Sequence, residues 1–229
     1  MGGIIRAGTS DTDSFDIRFD DKCGDSSTCS FPFYVKNKME GPIYVYLHFK
    51  DFFVQHRNSI KSVSQNQLSG EIVGYDAAST ACIAAVRNED TLRDYSITGK
   101  RLDPKAVANP CGILASLFPK GITRTHIDDF ILSKRVINNA TQVESYENVP
   151  IKIEGISWAG YKEKKFKMLN NGADQWVNVT NERFIEWMRA PLRSSFYKLW
   201  GRIDQNLEKG LYRFDIANGK QNLNKRRNL

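Results

Sequence analysis

Residues 181–203 constrain the fold of this chain more than any other segment. They read NERFIEWMRAPLRSSFYKLWGRI, and apolar residues recur there at intervals of three and four positions: Phe184, Trp187, Met188, Leu192, Phe196, Leu199, Trp200 and Ile203. This spacing predicts an amphipathic helix that buries one face. Asn181 is suited to cap the first turn, and Glu182 suits the positive end of the helix dipole. Pro191 then ends or kinks the helix, or opens a second helix at its first turn.

Composition places the chain among folded, globular proteins. Its 229 residues are 41% hydrophobic and include 13 phenylalanines, which is enough for a substantial core. No apolar run approaches the roughly 18 residues of a membrane span, and the first residues contain no hydrophobic segment of signal-peptide length. Taken alone, the sequence predicts a soluble domain, which is compatible with a piece cut from a larger protein.

The net charge of +7 at pH 7 raises the question of a nucleic-acid partner. Basic residues are scattered, with local clusters only at 162–167 and 220–227. A nucleic-acid surface usually needs a concentrated basic stripe and a recognisable module, and the sequence contains no such module. We therefore interpret the clusters as solvated basic faces and predict no nucleic-acid partner. The 162–167 run is predicted to be the solvent edge of a strand or loop.

Alternating apolar and polar residues predict several β-strands. The clearest is residues 43–50, IYVYLHFK, whose apolar residues share one face. Shorter alternations predict strands at 15–19, 31–35 and 212–216, with weaker candidates at 130–132 and 151–153. Pro32 confines its strand to a sheet edge or to a strand start. Because strands lie near both ends of the chain with helical segments between them, we expect a β-rich α+β fold, an antiparallel sheet with helical insertions.

Two further short helices are predicted between the strands. One covers residues 51–63, and the other covers residues 110–118, with Asn109 as its cap and Pro110 at its first position. After Ile216 the hydrophobicity collapses, so residues 218–229 are predicted to be a mobile, disordered tail.

Cysteines and glycosylation sequons together favour an oxidising compartment. Four cysteines allow three pairings: Cys23 and Cys29 bracket a polar turn that can bring them together, whereas Cys82 and Cys111 would close a much longer loop. Sequons begin at Asn139 and Asn178. Each signal is weak alone, but together they favour an extracellular or lumenal setting over the cytosol.

No residue pattern predicts catalysis. The histidines His48, His56 and His126 have no cysteine, carboxylate or second histidine at a metal-ligand spacing. Residues 155–159, GISWA, mimic a nucleophile elbow, but no histidine follows Ser157 as the α/β-hydrolase order requires. No phosphate-binding glycine loop is present. The one kind of catalytic site that the sequence does not exclude is a pair of carboxylates that converge in space, as in a glycosidase. We predict no active site, no cofactor and no metal.

Four segments resemble motifs of one protein family. They are residues 53–62 followed by QLSG at 67–70, residues 109–118, residues 155–158 followed by Lys165 and Phe166, and the Trp-Met-Arg step at 187–189. The same motifs occur in the same order in the exoplasmic domain of the ligand-effect modulator 3 / cell division control protein 50 family, the non-catalytic subunits of lipid flippases. The resemblance covers residues 43 to about 216.

The resemblance implies a fold and a role. The family's domain is an antiparallel β-sandwich with helical insertions and long loops, held between two membrane helices that this chain lacks. It caps the exoplasmic loops of a type-IV P-type ATPase and supports the folding, trafficking and transport cycle of that pump. The implied location is the lumenal or extracellular side of the endoplasmic reticulum, Golgi, endosome or plasma membrane. The implied pairing is Cys82 with Cys111, and Cys23 with Cys29.

The matched motifs also supply candidate partner contacts. These are His56, Arg57, Lys61, Trp158, Trp187 and Arg189. We expect one exoplasmic domain over residues 10–217, with Asn139 and Asn178 as glycosylation sites. The membrane helices account for much of the affinity of the family for its pumps, so this chain alone is expected to bind its pump weakly. The chief rival interpretation is a secreted or cell-surface adhesion or ligand-binding β-sandwich with no ATPase partner, and a secreted hydrolase is the second.

Overall fold

The structure is a computed structural model that describes residues 14, 16–18, 28–119, 130–138 and 142–217. Contacts divide the chain into two compact units. Unit 1 comprises residues 1–43, 127–152 and 203–229, and unit 2 comprises residues 44–126 and 153–202. Each unit is therefore assembled from segments that are distant in sequence.

Unit 1 contains a four-stranded antiparallel sheet. Its strands are β1 (Thr28–Val35), β3 (Phe130–Ile137), β4 (Glu144–Val149) and β6 (Gly210–Ala217), in the order β1-β6-β3-β4. The register places Phe31 opposite Phe214, and Phe214 opposite Leu132. Phe33 stacks on Phe214 with ring centroids 5.5 Å apart. Cross-strand apolar and aromatic pairs of this kind stabilise one buried face of a sheet.

Unit 2 contains a two-stranded antiparallel sheet and seven named α-helices among its described residues. The strands are β2 (Ile43–Phe49) and β5 (Phe196–Ile203). The helices are α1 (Arg57–Lys61), α2 (Gln65–Leu68), α3 (Tyr75–Ala81), α4 (Asn88–Thr91), α5 (Ile113–Ser116), α6 (Ala159–Lys165) and α7 (Glu182–Trp187), with a 3₁₀ turn at Asn170–Gly172. None is longer than seven residues, and helices this short are not stable without tertiary contacts.

Aromatic side chains form the core of unit 2. Phe184 lies at the centre: its ring centroid is 5.2 Å from that of Phe118 and 6.3 Å from that of Trp176. The indole N–H of Trp176 donates to Pro110 O at 2.8 Å, and that of Trp187 donates to Leu114 O at 2.7 Å. Buried tryptophans need such acceptors, because an unpaired indole N–H would be costly in the core.

A disulfide and a glycine fix the loop before α5. Cys82 and Cys111 are bonded and fully buried, as the resemblance implied. Such a loop is stabilised by about 3.5 kcal/mol on the chain-entropy estimate. Gly112 has φ +112°, and a Cβ atom there would lie 2.1 Å from Ser62 O. Only glycine combines this backbone conformation with so close an approach. Cys29 is also disulfide-bonded; Cys23, its predicted partner, lies outside the described residues.

The predicted fold class is confirmed. The protein is α+β, with antiparallel sheets and short helical insertions. Strands predicted at 31–35, 130–132 and 212–216 fall within β1, β3 and β6, and the strand predicted at 43–50 matches β2 up to Phe49. β1, which carries Pro32, lies at the sheet edge. No named strand covers 151–153, and Asp16, Ile17 and Arg18 have no regular structure. Phe15, Phe19 and residues 218–229 lie outside the described residues.

The helix predicted over 181–203 is largely wrong. Only Glu182–Trp187 is helical, and Phe196–Ile203 is a strand. Asn181 does cap the helix, since its Oδ1 accepts from Arg183 N at 2.9 Å. The apolar spacing gave a wrong prediction because Leu192, which was assigned to the apolar face of the helix, is 91% exposed, whereas Lys198 is buried.

The other predicted helices are shorter or displaced. Within 51–63 only Arg57–Lys61 is helical. The helix predicted to begin at Pro110 begins at Ile113, because Gly112, at positive φ, precedes it as the cap. In the basic run at 162–167, residues 162–165 belong to α6 rather than to a strand or loop edge, and Phe166 and Lys167 follow the helix without regular structure.

Candidate functional site

Glu182, in the first turn of α7, holds the loop before α6. Its Oε2 accepts from the backbone N–H groups of Ile156 and Ser157, each at 2.9 Å. Lys162 Nζ lies 3.3 Å from its Oε1. Burial acts to raise the pKa of Glu182, but the hydrogen bonds from Ser157, Gly155 and Ile156, together with that from Lys162, outweigh it and leave the pKa below its ordinary value. The ionised carboxylate therefore pins residues 155–157 to α7.

Trp158 caps α6 and projects from the surface. It is 71% exposed, and its ring meets Tyr161 edge-on with centroids 6.1 Å apart. Lys165 Nζ lies 4.5 Å from the centre of the Tyr161 ring, within cation–π range. None of the side chains of α6 is buried, so this helix faces solvent and adds no side chain to the core.

Arg189, just after α7, lies beside Trp158. Its guanidinium carbon is 5.9 Å from the Trp158 ring centre, and its Nη1 donates to both carboxylate oxygens of Glu186 at 3.2 and 3.1 Å. A cavity of about 70 Å³ opens between these groups, lined by Trp158, Tyr161, Ile185, Glu186 and Arg189. The aromatic rings, a buried apolar floor and an ion pair thus share one recess.

Lys198 on β5 supports the end of α7. Its ammonium donates to Glu186 O at 2.8 Å, to Trp187 O at 3.2 Å and to Arg189 O. Burial lowers the pKa of Lys198 to about 8; Glu186 acts to raise it and Arg189 to lower it. The side chain is therefore charged at neutral pH, and it satisfies carbonyls that a helix end leaves without partners. Sequence reasoning missed this residue, although its place between Phe196 and Trp200 is a buried position in a period-two pattern.

A second aromatic surface lies on the sheet of unit 2. His48 stacks on Tyr197 with ring centroids 4.2 Å apart, and its Nε2 is 2.9 Å from Ser195 Oγ. Tyr46 meets Tyr197 edge-on at 6.5 Å. The pKa of Tyr46 is raised, first by burial and then by Tyr44 and Glu186.

The structure brings together two of the six predicted contact residues. Trp158 and Arg189 share the recess. His56 caps α1 through Nδ1, which accepts from Asn58 N at 3.3 Å, and Arg57 and Lys61 are exposed on that helix. Among the side-chain contacts of the described residues, none joins α1 to the recess. Trp187 is 1% exposed and belongs to the core, so it offers no surface to a partner.

The sequon that begins at Asn178 lies within the described residues, and its asparagine is accessible to solvent. Asn178 is exposed, and its Oδ1 accepts from both Thr180 N at 2.9 Å and Thr180 Oγ1 at 2.7 Å. Asn139 lies outside the described residues. Use of either site stays a prediction.

The described residues that could take part in catalysis have structural contacts of their own. Ser157 precedes α6, while His48 contacts Ser195 and His56 caps α1. Across that same part, no group of histidine, cysteine or acidic side chains is arranged to hold a metal ion. None of the helices between residues 28 and 217, outside the two undescribed gaps, has the length and apolarity needed to cross a bilayer.

Comparison with known proteins identifies relatives along most of the chain. The sequence model of the LEM3 (ligand-effect modulator 3) family / CDC50 family matches residues 7–221. "Cell cycle control protein 50C" of Macaca fascicularis is 27% identical over 230 aligned positions, which cover 87% of this chain and 57% of the relative.

Two further relatives come from a plant and a yeast. "ALA-interacting subunit 3" of Arabidopsis thaliana is 28% identical, covering 80% of this chain and 46% of the relative. "Phospholipid-transporting ATPase accessory subunit CRF1" of Saccharomyces cerevisiae is 28% identical, covering 83% and 47%. The chain spans about half the length of the curated relatives it matches. With a family match that extends over residues 7–221, this chain belongs to the LEM3/CDC50 family.

Proposed function

We propose that this chain is the exoplasmic domain of a non-catalytic accessory subunit of a P-type ATPase that transports phospholipids. The family match over residues 7–221 is the observation that carries the proposal. The printed names of the plant and yeast relatives, an ALA-interacting subunit and a phospholipid-transporting ATPase accessory subunit, supply the partner class.

The chemistry of unit 2 supports an exoplasmic location. The Cys82–Cys111 disulfide is buried and belongs to a small apolar cluster with Ala78 and Ala108. Disulfides of this kind persist in the lumen of the secretory pathway and outside the cell, and they are rare in the cytosol. Asn178 is exposed, and an accessible sequon supports the same location.

The proposed mechanism is association without chemistry. A folded, disulfide-closed domain covers the exoplasmic loops of the pump and supports its folding, its exit from the endoplasmic reticulum and its transport cycle. It affects that cycle only as far as it binds the conformers of the pump with unequal affinity. Because the relatives are about twice as long as the part matched here, the isolated chain is expected to bind weakly.

Co-purification of the complete gene product tests the proposal. The tagged protein is extracted from membranes in mild detergent, with an unrelated tagged glycoprotein of the same membranes as the background control. We expect a P-type ATPase to co-purify in near-equal amount, and depletion of the subunit to retain that ATPase in the endoplasmic reticulum. Recovery of the subunit with an extracellular adhesion ligand and no ATPase would contradict the proposal and favour the rival interpretation.

A further inference from the structure

Helix α6 carries several exposed charges beside the exposed ring of Trp158 and the half-buried ring of Tyr161. Its sequence is AGYKEKK, and Lys162, Lys164 and Lys165 lie in its last turn with no buried residue on any face. A short helix of a globular domain normally buries one face. Here the face next to Trp158 and Tyr161 stays open.

The charge of this region is positive after its internal ion pairs are considered. Lys162 is engaged by Glu182, and Arg189 is engaged by Glu186. Lys164 is exposed, and Lys165 is exposed on the ring of Tyr161. Exposed Glu163, in the same helix, offsets one of these two positive charges, so the balance stays positive by one charge. The lysines that remain attract an anionic group, and they do so over about 8–10 Å at physiological ionic strength.

The shape of the region suits an inserted side chain. The recess of about 70 Å³ has Ile185, which is buried, at its floor and Trp158 and Tyr161 on its walls. One apolar side chain on a protein loop suits a recess of this size and lining. Tryptophan, tyrosine and arginine are the residues that most often dominate binding at protein interfaces.

The region is also held in place before any partner arrives. Glu182 fixes the loop that leads into Trp158, and Lys198 fixes the carbonyl of Arg189. A preorganised surface loses less conformational entropy on binding than a mobile one.

We propose that the α6 surface, formed by Trp158, Tyr161, Lys164, Lys165 and Arg189, binds an acidic loop of the partner protein. One apolar side chain of that loop enters the recess beside Arg189, and the carboxylates of the loop lie against Lys164 and Lys165. The inference rests on the proposed function, since it assigns the surface through which this domain contacts its ATPase.

A matched pair of charge reversals in the complete gene product tests the inference. The test variant is K164E/K165E, and the control is R101E/K105E, which removes two exposed positive charges elsewhere in unit 2 and changes the net charge equally. We expect about tenfold less co-purified ATPase with K164E/K165E and an unchanged amount with the control, because like charges across an interface repel. Unchanged thermal unfolding midpoints establish that both variants are folded.

A second variant tests the recess. Trp158→Ala removes the exposed wall without touching the core, and we expect it to reduce ATPase recovery about tenfold. Recovery in wild type should fall as salt is raised, and K164E/K165E should show a weaker salt dependence. Equal recovery with all variants overturns the inference and leaves the proposed function intact. A wild-type protein that recovers no ATPase contradicts the proposed function itself.

Vesicles separate a protein partner from an anionic membrane. The 229-residue chain is sedimented with vesicles of phosphatidylcholine alone and of phosphatidylcholine with phosphatidylserine. We expect no sedimentation that depends on Lys164 and Lys165. Binding to phosphatidylserine vesicles that K164E/K165E abolishes, with ATPase recovery unchanged, would assign the surface to lipid and overturn the inference.

Discussion

The two units of this protein are stabilised in different ways. In unit 1, β6 pairs along its length with β1 and over five residues with β3, so backbone ladders and cross-strand rings maintain the sheet. In unit 2, the helices span four to seven residues, and side chains bonded to backbone atoms hold them in position. A sheet distributes its stability over many similar contacts, whereas unit 2 concentrates it in a few side chains.

Two buried cations show how unit 2 depends on single side chains. Lys198 donates to the carbonyls at the end of α7, and Arg93 donates to Ser116 O at 3.2 Å and Phe118 O at 2.6 Å, at the end of α5. Burial lowers the pKa of Arg93 to about 10, so it too is charged at neutral pH. Each cation replaces the next helical turn as the partner of the terminal carbonyls. Substitutions of such buried side chains should therefore lower the free energy of unfolding more than substitutions in unit 1.

Gly112→Ala should have the largest effect. The new methyl group would meet Ser62 O in a backbone conformation that disfavours it, so we expect a loss of about 4 kcal/mol in the free energy of unfolding or failure to fold. Urea denaturation measures the loss. Gly74→Ala is the control, since a Cβ atom there meets nothing within 4 Å. Equal stability of the two variants would contradict the close approach at Gly112.

Lys198→Met should cost about 3 kcal/mol, because it keeps most of the side-chain volume but leaves three carbonyls without their donor. Lys134→Met, on half-buried β3 of unit 1, should cost less than about 0.5 kcal/mol. Hydrogen exchange sharpens the comparison: protection should fall over residues 182–203 and persist over 210–217. A uniform loss over both units would mean that they unfold together.

Glu182→Gln should cost about 1.5 kcal/mol near neutral pH, because charge-assisted hydrogen bonds become neutral ones. The folded-state pKa of Glu182 lies below the ordinary value of 4.5, so its contribution is present above pH 4.5 and is lost as the pH falls through the folded-state pKa. The difference in unfolding free energy between wild type and variant should shrink as the pH is lowered from about 6 to about 3. A difference that stays constant with pH would exclude the carboxylate charge as its cause.

Glu144→Gln should have the smallest effect. It removes the exposed ion pair between Arg135 and Glu144 on neighbouring strands of unit 1, and such pairs contribute less than about 1 kcal/mol. We expect a change below about 0.5 kcal/mol by urea denaturation. A larger loss would show that unit 1 also depends on single side chains.

Sequence patterns predicted unit 1 better than unit 2 for a physical reason. Strands β1 and β6 of unit 1 alternate apolar and polar residues, and alternation reports directly which face is buried. The strand at residues 196–203 was not predicted, because a lysine occupies a buried position and the apolar spacing also fits a helix. At Asn109 and Pro110, the signals of a cap and first turn were present, but the chain conformation at Gly112 decides where α5 begins.

The candidate site was only partly predictable. Trp158 and Arg189 were selected through separate motifs, but their proximity depends on how Glu182 joins α7 to residues 155–157. Tyr161 belongs to none of the matched motifs, and Lys165 belongs to one but was not selected as a contact; the significance of both comes from the exposed helix that presents them. Local patterns carry no information on contacts made through tertiary structure, so Lys198 was missed as well.

The position of β6 has a consequence for biosynthesis. It lies between β1 and β3 in the sheet, yet among the strands of the described residues it is the last to be made. Every described segment of unit 2 precedes residue 203, so that unit can close while unit 1 still waits for its central strand. A nascent chain halted before Gly210 would expose the unpaired edges of two strands, which chaperones recognise and which invite aggregation. Release from quality control should thus depend on completing Gly210–Ala217, the residues of β6.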